Sequence, residues 1–254
     1  MWKKQTIAQL AEDHQRSKRW IRTQLDAASV AQIHVPPQPV VIVADMTFHK
    51  RTFGVCVLRS PHLKKNIIWY PASTETTTIY RECRWELERQ GFKITAAVLD
   101  GKRGVSEVFW DIPVQMCHFH QIRTITRYLT SRPNLPAGQT LRALTLTLAR
   151  TTEQVFSRRL DEWYMEWGSF LKERTIHLET KRWHYTHKRL RSAYRSIKTN
   201  LPALFTYERY PELKIPNTTN SLDGTFSHVK DLLRIHRGLN QSRKLKLINE
   251  ILSK

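Results

Sequence analysis

The sequence predicts an α/β fold, a mixed sheet interrupted by a helical insertion and preceded by a small pair of helices, on three observations. Two continuous apolar runs, Val40-Val41-Ile42-Val43-Ala44 and Ile94-Thr95-Ala96-Ala97-Val98-Leu99, have the length and β-branched content of strands buried on both faces. Each ends in an aspartate, Asp45 and Asp100. Beyond them, residues 121–215 turn basic and helical, with Leu141, Leu144 and Leu148, then Val155, Leu160 and Trp163, at helical spacing.

Residues 5–26 read as two short helices around a turn. Ile7, Leu10 and Ala11 form one apolar face, Ser17 is the N-cap of the second helix, and Trp20, Ile21 and Leu25 form the next face. Lys18, Arg19 and Arg22 then point from the second helix toward a groove, as in a helix-turn-helix occupying 1–34. A plain helical hairpin is the alternative, because His14-Gln15 stands where such motifs commonly have a tight-turn glycine. Val35-Pro36-Pro37-Gln38-Pro39 breaks the chain before the strand that reaches Asp45. A turn at Lys50-Arg51 leads to a strand over Phe53 to Arg59, and Asn66 to Tyr70 completes an antiparallel meander. A helix over Thr76 to Gln90, with Ile79, Cys83 and Leu87 on one face, returns through Gly91 to the strand ending at Asp100. Gly101 to Phe109 is expected to be helical and Ile112 to Cys117 a short buried strand. Meander, crossover helix and further strand are the order of an RNase H-like core. Its first part spans 35–120, the helical insertion 121–215, and the C-terminal helices 216–254. The last part opens after Pro216 with a helix carrying Asp223, capped by Thr218, Thr219 or Asn220.

The chain has 254 residues, with 42 Lys and Arg against 22 Asp and Glu, a formal net charge of +20. Such a balance calls for a polyanionic partner, nucleic acid first and a membrane surface second. Basic residues scattered among aromatics, eight Trp included, describe a folded surface and not a disordered basic tail. No apolar run approaches the roughly 20 residues that span a bilayer, and Met1-Trp2-Lys3-Lys4 is followed by no signal-peptide core, so an intracellular protein with no membrane partner is expected. Cys56, Cys83 and Cys117 are spaced neither as a disulfide framework nor as a Cys-x-x-Cys zinc site.

Carboxylates delivered to one rim by separate elements, Asp45, Asp100 and Asp223, are expensive to leave uncompensated, and a divalent cation neutralises them. Two such ions activate water and stabilise a leaving oxygen in phosphoryl transfer. The alternative is that each aspartate caps a strand or opens a turn.

Ala44-Asp45, Leu99-Asp100-Gly101, Cys117-His118-Phe119-His120 and Thr218-Thr219-Asn220-Ser221-Leu222-Asp223-Gly224 together resemble the Mutator-like DDE transposases of bacterial insertion sequences, over roughly residues 5 to 250. The resemblance implies an RNase H-like core in which two aspartates and a glutamate hold magnesium or manganese, here Asp45, Asp100 and, in the glutamate's place, the shorter Asp223. It implies that Cys117-x-x-His120 is the short signature following the second aspartate. By residue chemistry this pair is half a zinc site; the role expected is to order the strand-to-helix junction, and a buried Cys with a satisfied His is the alternative. His118 matches the signature less well. Lys230, two turns after Asp223, corresponds to the basic residue that contacts the DNA backbone, and Arg234, His236 and Arg237 extend the strip. Lys181-Arg182-Trp183 opens a stretch interleaving aromatics and cations through Arg189, suited to holding distorted DNA. For Trp183 stacking on a base is one reading, but the one favoured for it, as for Trp163 and Trp167, is packing within the insertion's own core.

The function implied is that of an insertion-sequence transposase in the bacterial cytoplasm, associated with the nucleoid. It binds the terminal inverted repeats and target DNA as a homodimer or higher oligomer, and catalyses metal-dependent phosphodiester cleavage and strand transfer. Longer members of the group carry a cysteine-rich zinc-binding segment ahead of the helix-turn-helix, and this sequence shows none there. That feature, with Asp223, motivates the alternative of a truncated or decayed transposase acting as a non-catalytic DNA-binding protein. An RNase H-like nuclease or junction resolvase shares the metal site but gives no reason for the basic insertion.

Overall fold

The computed structural model describes residues 5–30, 35–49 and 53–253. The opening Met1-Trp2-Lys3-Lys4 and the turn expected at Lys50-Arg51 lie outside the described residues. The fold is mixed α/β. Its larger sheet has five strands in the order β3-β2-β1-β4-β5, namely β1 (Pro39–His49), β2 (Phe53–Ser60), β3 (Lys65–Ala72), β4 (Lys93–Leu99) and β5 (Val114–Met116). β1, β2 and β3 form an antiparallel meander, whereas β4 and β5 are parallel. Two compact units divide the chain, one of residues 1–94 and 220–254, the other of 95–219. Among the described residues no helix is long and apolar enough to cross a membrane.

In the first unit, α1 (Ile7–Asp13) and α2 (Lys18–Ala27) begin at side-chain caps from Thr6 and Ser17. Gln15 takes the left-handed conformation, φ 49°, so the turn is made without glycine. α2 is fastened to the C-terminal helix α10 (Gln241–Leu252) by a two-pronged ion pair, Arg243 to Asp26 at 2.7 and 2.6 Å. α10 also lies on β3, where Asn66 donates to the Leu252 carbonyl and Trp69 Nε1 to Asn249 Oδ1, each at 2.9 Å. α3 (Thr77–Arg89) packs on β2 and β3 with Ile79, Cys83 and Leu87 buried, as the helical spacing predicts. α9 (Asn220–Ile235) packs on β1. With helices to cover it, β1 buries Val40 through Asp45 without alternation, which explains why its sequence reads as an unbroken apolar run. Gly54, on β2 opposite Phe48, admits the Phe48 ring into space that a Cβ would fill.

In the second unit the helical stretch has its own core. α4 (His118–Leu129), α5 (Pro136–Leu146), α6 (Glu153–Trp167), α7 (Lys188–Leu204) and α8 (Thr206–Arg209) enclose Ile125, Leu141, Phe156, Leu160, Ile197 and Phe205, all fully buried. Trp163 joins them, its indole N–H donating to the Ala137 carbonyl at 3.1 Å. Thr152 caps α6, and Glu153 at its start holds Arg209 at 2.7 Å. Two sequence expectations are corrected. Gly101 to Phe109 is not a helix: Gly101 and Gly104 have φ +84° and +80°, and only a 3-10 turn over Ser106–Phe109 follows. Between α6 and α7 the chain makes a small antiparallel hairpin, β6 (Arg174–Ile176) with β7 (Trp183–Tyr185), within a stretch read as predominantly helical in which no strand was placed. The Arg174-Thr175-Ile176 and Trp183-His184-Tyr185 triplets are too short for periodicity to separate from helix.

Truncating Phe156 to alanine leaves a void between α6 and Phe205 and is expected to destabilise the protein by about 3–5 kcal/mol, read by denaturant unfolding of the tryptophan signal.

Candidate functional site

The three aspartates come from different elements. Asp45 stands in β1 opposite Val57, only 8 % exposed, and its Oδ1 accepts the Met46 amide at 2.7 Å. Thr47, two residues on and therefore on the same strand face, has a buried hydroxyl with no hydrogen-bond partner within the described structure. Thr47, His49 and Val55 border a small hollow beneath α9, closed by Val229, Lys230 and Leu233. Asp223 is in the first turn of α9 and exposed, where the helix dipole favours a carboxylate. Ser227, Lys230 and Arg234 continue its exposed stripe, while Leu222, Phe226, Val229 and Leu233 form the buried one. Asp100, half-buried, ends the β4 run in the second unit. Its Oδ1 accepts the Lys102 amide at 2.9 Å, an Asx turn, and Gly101 is needed both for its positive φ and because a Cβ would strike the Met116 thioether. Among the described residues no three His, Cys, Asp or Glu side chains stand together as a ready ligand group.

The Cys117–His120 pair is a structural knot of the second unit. Cys117 follows β5 and precedes α4; its amide donates to the Leu99 carbonyl at 2.8 Å. The Thr219 amide donates to Cys117 Sγ at 3.3 Å, and the Thr219 hydroxyl lies 3.4 Å from both that sulfur and His120 Nδ1. The His118 amide donates to the Asn217 carbonyl at 2.9 Å. Burial pushes the Cys117 thiol up, but hydrogen bonding to His120 and Thr219 prevails and holds it below its ordinary value. His118 faces the core: Nε2 lies 2.6 Å from the Leu204 carbonyl and the ring meets Phe205 and Tyr207 edge-on. Burial pushes its pKa down from 6.5.

The basic residues divide into three sets. On α2, Lys18, Arg19 and Arg22 are all exposed around the single buried residue Ile21, and Arg16 sits 5.7 Å from the ring centroid of half-exposed Trp20. On and after α9, Lys230, Arg234 and Arg237 are exposed, with Arg234 paired to Asp231 at 3.1 Å. His236 departs from the expected strip: it is 5 % exposed, its ring turned inward. Burial lowers its pKa as well. On the hairpin, Lys181, in the left-handed region at φ 53°, Arg182 and Trp183 are exposed. Trp183 is therefore not part of the insertion's core, unlike Trp163, and the Arg174 guanidinium lies 4.1 Å from its ring centroid. Arg191 takes the same position over Tyr185 at 3.9 Å. Tyr185 lies in the stretch that the sequence singled out, but Arg174 and Arg191 do not; only the fold brings these cations over the rings.

Replacing Thr219 by valine removes the hydroxyl that meets both Cys117 Sγ and His120 Nδ1 and is expected to cost about 1–3 kcal/mol in denaturant unfolding. His118 titrates lower in the folded chain than when unfolded, so the unfolded chain takes up the proton first. Its contribution to stability is constant above pH 6.5 and declines as pH falls below that value. Unfolding midpoints measured through this window should fall, and fall less in His118→Gln. No family model matches the chain, and no curated protein matches it.

Proposed function

We propose that the chain is a DDE/DDD-type transposase with an RNase H-like catalytic core, acting on DNA ends by metal-dependent cleavage and strand transfer. The observation that supports it best is where the acidic residues fall on the strand order: Asp45 on β1, Asp100 directly after β4 and Asp223 in the first turn of α9, in a sheet ordered β3-β2-β1-β4-β5 with an antiparallel meander first. The donor set is all carboxylate oxygen, which suits magnesium or manganese, and the unpartnered Thr47 hydroxyl beside Asp45 keeps that neighbourhood polar. Asp45, Asp100 and Asp223 would hold the cations, which when bound supply Lewis-acid activation of the attacking hydroxyl and neutralise charge on the leaving oxygen.

The remaining work falls to the chain's own side chains. Lys230 and Arg234, on the Asp223 stripe, seat backbone phosphates next to the acidic residues. Lys18, Arg19 and Arg22 on α2 give the first unit a second phosphate-binding face, in the manner of a helix-turn-helix. Lys181, Arg182 and Trp183 give the second unit an exposed cation-and-ring surface. Strand transfer needs two DNA ends in one assembly, so the acting form is a homodimer or larger, in the bacterial cytoplasm on the nucleoid. A non-catalytic DNA-binding protein is the alternative, favoured by the exposed, shorter Asp223 in place of glutamate.

On a labelled fragment carrying the flanking inverted repeats, with magnesium or manganese, the chain is expected to release and join 3′ ends. Asp100→Ala and the shape-preserving Asp45→Asn should lower the rate roughly a thousand-fold while DNA binding persists; unchanged cleavage in either would refute the site. Asp223→Glu should raise the rate, by up to about a hundred-fold if reach is limiting. Tight binding with no products in any form would favour the non-catalytic alternative.

A further inference from the structure

The second unit contains a cavity of about 260 Å³ between α6 and α7, which the Asp-centred function leaves unused. Its lining includes three cations, Lys172, Arg191 and Arg195, and two tyrosines, Tyr164 and Tyr194, with no carboxylate. Among the described residues none of the three cations is paired with an acidic side chain, although a carboxylate is close at hand on the same two helices: Asp161 of α6 takes Lys198 of α7 at 3.1 Å. The floor is rigid. Tyr194 is stacked on Tyr164 at 4.9 Å and 16°, and on buried Trp163 at 5.5 Å and 21°. Burial raises the Tyr194 phenol above its ordinary pKa, so it stays protonated and able to donate. Arg191 is held from two sides, its guanidinium over Tyr185 and its NH1 toward the Leu171 carbonyl at 3.4 Å.

Three cations with no carboxylate partner among the described residues, together with phenolic hydroxyls around one hollow, form a receptor for a tetrahedral oxyanion. We propose that this cavity seats a backbone phosphate of the bound nucleic acid, and that Arg191 joins it to the hairpin so that the strand runs from the cavity onto the Tyr185 and Trp183 rings. The inference rests on the DNA-binding part of the proposed function. The net charge of +20 makes a polyanion the fitting source of that phosphate. The alternation of cation and ring, Arg174 with Trp183 and Arg191 with Tyr185, is the mixture that tracks a backbone while stacking bases.

The test compares wild type with Lys172→Ala/Arg195→Ala, two exposed positions, and with Lys198→Ala as a control of equal charge change per residue. Binding of a labelled oligonucleotide is measured across a salt series, and inorganic phosphate is titrated against the ring resonances of Tyr164 and Tyr194. The expected result is a roughly tenfold or greater loss of affinity in the double variant. The slope of log affinity against log salt should fall by about 0.9 for each phosphate that the variant no longer neutralises, Lys198→Ala should bind almost as wild type, and phosphate should shift both tyrosines only when Arg195 is present. Wild-type affinity and slope in the double variant would overturn the cavity assignment and leave the transposase proposal standing. Wild type that binds no oligonucleotide would overturn that proposal; phosphate shifts that survived in the same sample would mean a free-anion site and overturn the nucleic-acid source.

Discussion

The second unit depends on how a 102-residue excursion of the chain is closed, and the closure is made around one thiol. Bringing the ends of so long a loop together costs about 4 kcal/mol in chain entropy by simple loop statistics. The bonds at the junction, Thr219 to Cys117, Thr219 to His120 and His118 to Asn217, are individually modest. What makes them persist is the core assembled inside the excursion, where Ile125, Phe156, Leu160, Ile197 and Phe205 are shut off from water. The junction then fixes where the chain leaves the unit, because Asn220, the first residue of α9, follows Thr219 directly.

Charge is distributed unevenly around these cores. Many carboxylates are consumed by pairing: Asp26 by Arg243, Glu86 by Arg89, Glu153 by Arg209, Asp161 by Lys198. Exposed pairs of this kind contribute little to stability. Among the cations outside these pairs are Lys18, Arg19 and Arg22 on α2, Lys230 on α9, Lys181 and Arg182 at the hairpin, and Lys172, Arg191 and Arg195 in the α6–α7 cavity. Among the described residues Asp45 is the one buried carboxylate. Burial of that group is costly without a compensating charge or hydrogen bonds, and the Met46 amide is part of the compensation.

Much of the first unit was legible because its signals are long and consistent. Val40 to Ala44, and Ile94 to Leu99 leading into the second unit, have the length and β-branched content of buried strands, Ile79, Cys83 and Leu87 repeat at helical spacing, and Ser17 caps α2 as read. Gln15 was legible as a departure from the usual glycine, but its left-handed backbone was not, since a long side chain such as Gln seldom adopts that conformation and local sequence gives no sign of it. The loop after Asp100 was misread because Val105, Val108 and Phe109 imitate a helical face while Gly101 and Gly104 dictate the turn. Of the candidate site residues, the α2 cations, Asp100 and Asp223 fall where expected, whereas Asp45 lies inside β1, which runs on to His49 rather than ending at it, His236 turns inward and Trp183 outward. Orientation of a single ring depends on what packs against it from distant sequence, and no local pattern encodes that. The cation-lined cavity was illegible for the same reason: Lys172 precedes the hairpin, whereas Arg191 and Arg195 follow it.

The three cysteines are buried and unlinked, two in the first unit on β2 and α3 and one in the second at the head of α4. Because none reaches the surface, an alkylating reagent can react only after the surrounding structure has opened, and the rate at which each sulfur is consumed is then a clock for that opening. Cys56 and Cys83 keep time for the meander and its covering helix, and Cys117 for the junction that closes the insertion. The molecule thus contains its own set of probes for asking whether its two units breathe together or in turn, without the introduction of a foreign label.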